Sequence, residues 1–143
     1  MRDKDKIVKY LNRAYKLIKR KRILEREYEQ KQREVGNINI SYDEIKTNAI
    51  NSKVENKAIE LIKLKKDIDV HNVKIEEVKR EISCVVDKLE DETLKNLLRL
   101  RYLEFKKWRE IEYILNYSEQ HIHRLHNKAL KEINKIIKDV SIC

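Results

Sequence analysis

"WREIEYILNYSEQHIHRL" (residues 108–125) decides how this chain is read. Trp108, Ile111, Ile114 and Leu115 fall at helical spacing, and Ile122, Leu125, Ala129 and Leu130 take up the same period beyond them. Between the two runs, Asn116-Tyr117-Ser118 is too polar and turn-prone to continue one smooth amphipathic helix. Asn is the best non-glycine residue for a left-handed turn, Tyr117 reads as an apolar plug, and Ser118 as an N-cap. The stretch therefore predicts two helices set at an angle, the second starting at Ser118. Its inward face leaves Glu119, Gln120, His123, Arg124 and Lys128 pointing outward. A helix-turn-helix presents polar side chains in this way, near the N-terminus of its second helix, to the edges of DNA bases.

Outward from this core, "LKNLLRLRYLEF" (94–105) reads as an amphipathic helix through Leu94, Leu97, Leu98, Tyr102 and Phe105. The acids of "LEDET" just before it suit a helix N-terminus. Downstream, Ile133, Ile136, Ile137 and Val140 keep helical spacing towards the C-terminus.

Residues 53–89 carry a heptad. Val54, Leu61, Ile68, Ile75, Ile82 and Leu89 recur every seven residues, and Leu64, Val78 and Val85 fill the second core position, with Lys57 and His71 as exceptions. His71 reads as a tolerated seam residue. Residues 4–35 form another predicted helix through Ile7, Leu11, Ala14 and Ile18, then Leu24, Tyr28 and Val35, stopping at Gly36. The "KRKR" run at 19–22 interrupts its stripe and reads as a solvated face. The Asn- and Ser-rich stretch 36–52 is a connector, with a short helical turn at Ser41–Ile45 and Ser52 as N-cap, Glu55 standing at capping-box distance. The expected fold is all-α. A coiled-coil-like antiparallel hairpin occupies 1–89 (helices about 4–35 and 53–89), followed by a helix-turn-helix module at 90–143. Tyr10, Tyr15, Ile23, Ile59 and Ile62 lie off the seam and need a cover, for which a second copy of the chain, a homodimer, is expected.

Composition agrees. Of 143 residues 41% are charged, with no proline and one glycine, a mixture typical of long helices. The net charge is +9. Residues 1–35 hold 13 Lys/Arg against 6 Asp/Glu, 36–93 hold 10 against 13, and 94–143 hold 11 against 6. Basic ends favour a polyanionic partner, nucleic acid before others. No apolar run reaches membrane-spanning length. Cys84 and Cys143 read as two free thiols of a reducing cytoplasm. His121 and His123 point about 200° apart on a helix, so the His121, His123, His126 group predicts no metal. Without a glycine-rich phosphate loop or a nucleophile–base arrangement, neither enzyme activity nor a cofactor is expected.

At "LRLRYLEFKKWREIEYILNYSEQHIHRLHNKALKEI" (98–133) the chain resembles region 4 of bacterial sigma factors. It is more similar still to phage-encoded transcriptional regulators of the RinA/ArpU type, which set a long charged helical region ahead of such a module. The resemblance is specific over 94–137 and loose over 1–93. It implies base contacts by Glu119, Gln120, His123 and Arg124. Phosphate contacts would fall to Ser118, His121, Lys128, Lys131, Lys107 and Arg109. Glu112 departs from the pattern, which has a small residue there, and Asn116 stands where it usually has glycine. The function so implied is a sequence-specific, double-stranded-DNA-binding transcriptional regulator of phage or prophage genes. It would act at the nucleoid of the bacterial cytoplasm and could touch host RNA polymerase. The alternatives are a phage terminase small subunit and a coiled-coil adaptor that does not bind DNA.

Overall fold

The computed structural model describes residues 3–36 and 48–139, with side chains from 53 onward in the second span. Among them are six α-helices and no strand: α1 (Asp3–Leu11), α2 (Arg13–Gly36), α3 (Asn48–Asp87), α4 (Glu92–Tyr102), α5 (Trp108–Leu115) and α6 (Glu119–Asp139). The all-α expectation holds. The turn expected at Ser41–Ile45 lies outside the described residues.

Three boundaries differ from those read in the sequence. The helix expected over 4–35 is interrupted at Asn12. Its N–H still donates to the Val8 carbonyl (2.9 Å) and its carbonyl still accepts from Lys16 (3.1 Å), so the hydrogen-bond ladder runs through. Ser52 is not an N-cap, because α3 already starts at Asn48. Asn48-Ala49-Ile50-Asn51 contains no breaker, and adding residues to an existing helix is far easier than nucleating one. The helix expected to reach Phe105 ends at Tyr102, where the N–H groups of Leu103 and Glu104 both turn back to the Arg99 carbonyl. Phe105 itself has φ 60°, a left-handed conformation that no helix continues through.

The chain divides into two compact units, 1–17 with 75–143, and 18–74. The turn before α4 falls at 89/90, and the N-cap Asp91 accepts from the N–H groups of Thr93 (2.8 Å) and Leu94 (3.2 Å).

In the first unit, one core gathers Ile7, Leu11 and Ala14 with Ile82, Val85, Val86 and Leu89. Leu94, Leu98 and Tyr102 of α4 and Ala129, Leu130 and Ile133 of α6 complete it. Helix α6 thus lies against both α1 and α4. Glu81 ties α3 to the N-terminal helices, accepting from the Tyr10 hydroxyl (3.0 Å) and pairing with Arg13 (2.9 Å). A smaller cluster of Leu97, Ile111 and Ile122 joins α4, α5 and α6, with Trp108, Leu115, Tyr117 and Leu125 around it.

In the second unit, α2 and α3 are bridged by Lys31–Glu60 (2.6 Å) and Glu34–Lys57 (3.8 Å), pairs in which one number rises as the other falls. Ile68 is buried, and Leu61, Leu64, Lys57 and His71 are half-buried. The His71 ring Nδ1 lies 2.9 Å from the Asp67 carbonyl one turn earlier. The expected free thiol at Cys84 is corrected: Cys84 is disulfide-bonded. The chain's other cysteine, Cys143, lies outside the described residues.

Candidate nucleic-acid interface

The geometry of 107–122 follows from local chemistry. Lys107, in extended conformation, precedes α5, and its N–H donates to Glu110 Oε2 at 3.2 Å, half of a capping box. Helix α5 is strongly amphipathic and turns Ile111 fully inward. It ends at Asn116, with φ 57° and ψ 47°, the left-handed conformation expected there. The N–H groups of Asn116 and Tyr117 both close on the Glu112 carbonyl, the second at 3.2 Å. Ser118 then caps α6. Its Oγ accepts from the His121 N–H (3.2 Å) and its carbonyl from the Ile122 N–H (2.9 Å).

Ser118, Glu119, Gln120, His123, Arg124, Lys128 and Lys131 are all exposed, as are Lys107 and Arg109. Glu119, Gln120, His123 and Arg124 line one groove together with Trp108 and Glu112. Here Arg124 offers a planar fork of donors, Gln120 an amide that both donates and accepts, and Glu119 an acceptor. The remaining candidates are placed apart. Arg109 lines a different groove with Lys106, Tyr113 and Ile114, on the side of α5 where Tyr113 is 88% exposed. Lys131 borders α1, beside Asp3 and Lys4. The His121 ring is half-buried and packs on Tyr117 with centroids 4.4 Å apart.

Behind the groove lies a cluster the sequence reading did not single out. The His126 side chain is buried, the one buried polar residue among those described. Its Nε2 lies 2.7 Å from the Tyr102 hydroxyl, and the Trp108 ring meets it edge-on with centroids 4.7 Å apart. Burial pushes its pKa down to about 4, helped by the nearby positive charges of Lys4 and Arg101 and by His123. Burial likewise raises Tyr102 to about 12. The ring is therefore neutral near pH 7, and with its proton on Nδ1 it accepts the Tyr102 O–H. Arg101 covers the other partner, its guanidinium 4.5 Å from the Trp108 ring centre, and donates to the Lys106 carbonyl at 3.1 Å. A signal was available: His126 follows Ile122 by four residues and precedes Ala129 and Ile133 by three and seven, which puts it on the inward stripe of α6.

Among the described residues no group of three His, Cys, Asp or Glu side chains is placed to hold a metal. No helix among them is long and apolar enough to cross a membrane.

Residues 37–134 fit the family described as DUF1492, protein of unknown function, and the chain belongs to that family. No curated protein and no solved structure matches it.

Proposed function

We propose that this DUF1492 member is a sequence-specific DNA-binding transcriptional regulator, of phage or prophage genes, with α5 and α6 acting as a helix-turn-helix. One observation carries the reading. Asn116 in left-handed conformation and the Ser118 cap set α6 to start in the open, with Gln120 and Arg124 exposed while Ile111 and Ile122 bury behind them. A reading helix needs that combination: a rigid underside and polar side chains free at its N-terminal end. The likeness of 98–133 to sigma region 4, and of the whole to RinA/ArpU-type regulators, supports it, as does the basic balance of residues 94–143.

In this reading Arg124 pairs with guanine and Gln120 with adenine, each through two hydrogen bonds in the major groove. Glu119 and His123 flank them. Ser118 and Lys128 hold phosphates, with His121, Lys131, Lys107 and Arg109 at the margins. The α2–α3 pair forms a helical hairpin that assembles the protein or meets RNA polymerase. A homodimer would offer two readers to half-sites about 34 Å apart or a multiple of that spacing.

Binding of the full chain to its own genomic region, measured against salt, tests the proposal. With about four to six phosphates neutralised, log K falls with log salt at a slope of roughly −4 to −5. Mapped sites at promoters support a regulator. Sites confined to a DNA-packaging locus would move the assignment to a terminase small subunit. Absence of affinity for any DNA at low salt would leave an adaptor.

A further inference from the structure

Helix α3 carries a second apolar stripe, distinct from the row of half-buried Leu61 and Leu64 and buried Ile68. Ile59, Ile62, Val70 and Val73 are 50, 55, 63 and 60% exposed. With Lys66 among them they step by three, four, four and three residues. At about 100° per residue the five positions fall within an arc of about 80°. Single exposed aliphatic residues are ordinary on a surface, whereas a continuous line of them marks an interaction site.

The spacing reads the same in both directions from Lys66, and the flanking charges read with opposite sign. Lys63 and Lys65 precede it by three and one residues, and Asp67 and Asp69 follow by one and three. Helical geometry puts Lys63 and Asp67 on one flank of the stripe, and Lys65 and Asp69 on the other. Lys65 and Asp69 indeed lie 3.8 Å apart along their flank.

That arrangement selects an orientation. If a second α3 lies antiparallel across the stripe, each flank meets the same flank of the copy. Lys63 then stands beside the copy's Asp67 and Lys65 beside the copy's Asp69, offset by about 3 Å along the axis. Ile59 meets the copy's Val73, and Ile62 the copy's Val70. In a parallel pair opposite flanks meet, which sets Lys63 against Lys65 and Asp67 against Asp69. Like charges disfavour that register, as flanking charges do in coiled coils. The geometry points to self-association of this chain through the outer face of α3, between Ile59 and Val73, antiparallel and with the two-fold axis passing at Lys66.

The contact is about 21 Å long and buries less than the roughly 1,200 Å² of a stable interface. Association is therefore weak, and Lys66 facing its own copy weakens it further. The surface stands independently of the DNA reading, and its test uses no DNA. Sedimentation equilibrium of the full chain from about 10 to 300 µM, the range suited to a small interface, shows reversible dimers. Lys66→Leu tightens the dimer by about tenfold. Ile62→Asp with Val70→Asp abolishes it and leaves the helical circular dichroism unchanged, both positions being exposed. A photo-cross-linking residue in place of Ile59 captures the copy near residue 73. A monomer at every concentration, for both the wild type and Lys66→Leu, overturns the proposal. So does a dimer that survives the double Asp substitution, or a cross-link that maps near the copy's residue 59.

Discussion

Tyr102 and His126, on α4 and α6, meet side chain to side chain at 2.7 Å inside the protein, with their rings stacked at 5.9 Å. Each is the polar partner that makes burial of the other tolerable. Tyr102→Phe keeps the ring but strands the imidazole, and is expected to destabilise the fold by about 1–3 kcal/mol, the cost of a buried unsatisfied group. Urea unfolding of the two proteins side by side measures it. An unchanged midpoint would mean that water or another group satisfies His126.

The same histidine sets a pH dependence. Its folded pKa of about 4 lies below the ordinary histidine value of 6.5, so the unfolded chain binds the proton more readily. The stabilisation is complete above pH 6.5, declines as pH falls towards 4, and changes little below that. Its full size is about 3 kcal/mol. His126→Leu should flatten this part of the stability–pH curve, which thermal unfolding from pH 7 to 4 follows.

Asn116 is expected to tolerate glycine and reject a β-branched residue. Its left-handed backbone costs glycine nothing, whereas Asn116→Val should lose about 1–2 kcal/mol. A melting temperature for Asn116→Val equal to the wild type would show that the turn relaxes to another conformation.

On DNA, Arg124 and Lys128 should behave differently although both are exposed cations of α6. Arg124→Ala should cost about 1–3 kcal/mol on the preferred sequence and little on random duplex. Lys128→Ala should weaken all sequences alike and lower the salt slope by about one. Fluorescence titrations on specific and scrambled duplexes separate the two. Equal losses for Arg124→Ala on both would move it to the phosphate backbone.

Ile68 and Ile75 are buried at 6 and 5% exposure. Replacing both with Asp puts charges where no partner exists, and each is expected to cost at least about 3 kcal/mol. The helical signal should drop sharply, in contrast to acidic substitutions at the exposed Ile62 and Val70.

What was legible in the sequence was local or periodic. The turn could be read because Asn116 and Ser118 carry their conformations in their own chemistry, and the row from Val54 to Leu89 because it repeats every seven residues. Ser52 misled because a good capping residue says nothing about whether the helix has already begun. Phe105 misled because an apolar residue at helical spacing gives no sign that its backbone leaves the helix. His126 was weighed only as a metal ligand, and its place on the inward stripe was missed because residue type outweighed position. Apolar stripes also do not name their partners: Ile7 and Leu11 were legible as a helix face, yet nothing in their spacing pointed to Leu130 and Ile133.

The packing of α1 against α6, with Asp3 and Lys138 3.7 Å apart, sets the order in which the protein can be completed. The ribosome makes Ile7, Leu11 and Ala14 more than a hundred residues before Ala129, Leu130 and Ile133. At about 5–20 residues per second, the first apolar face waits on the order of ten seconds for the surface that covers it. The core of the first unit therefore closes only after residue 133 has been made, and a message truncated before residue 129 yields a chain in which α1 never finds its cover.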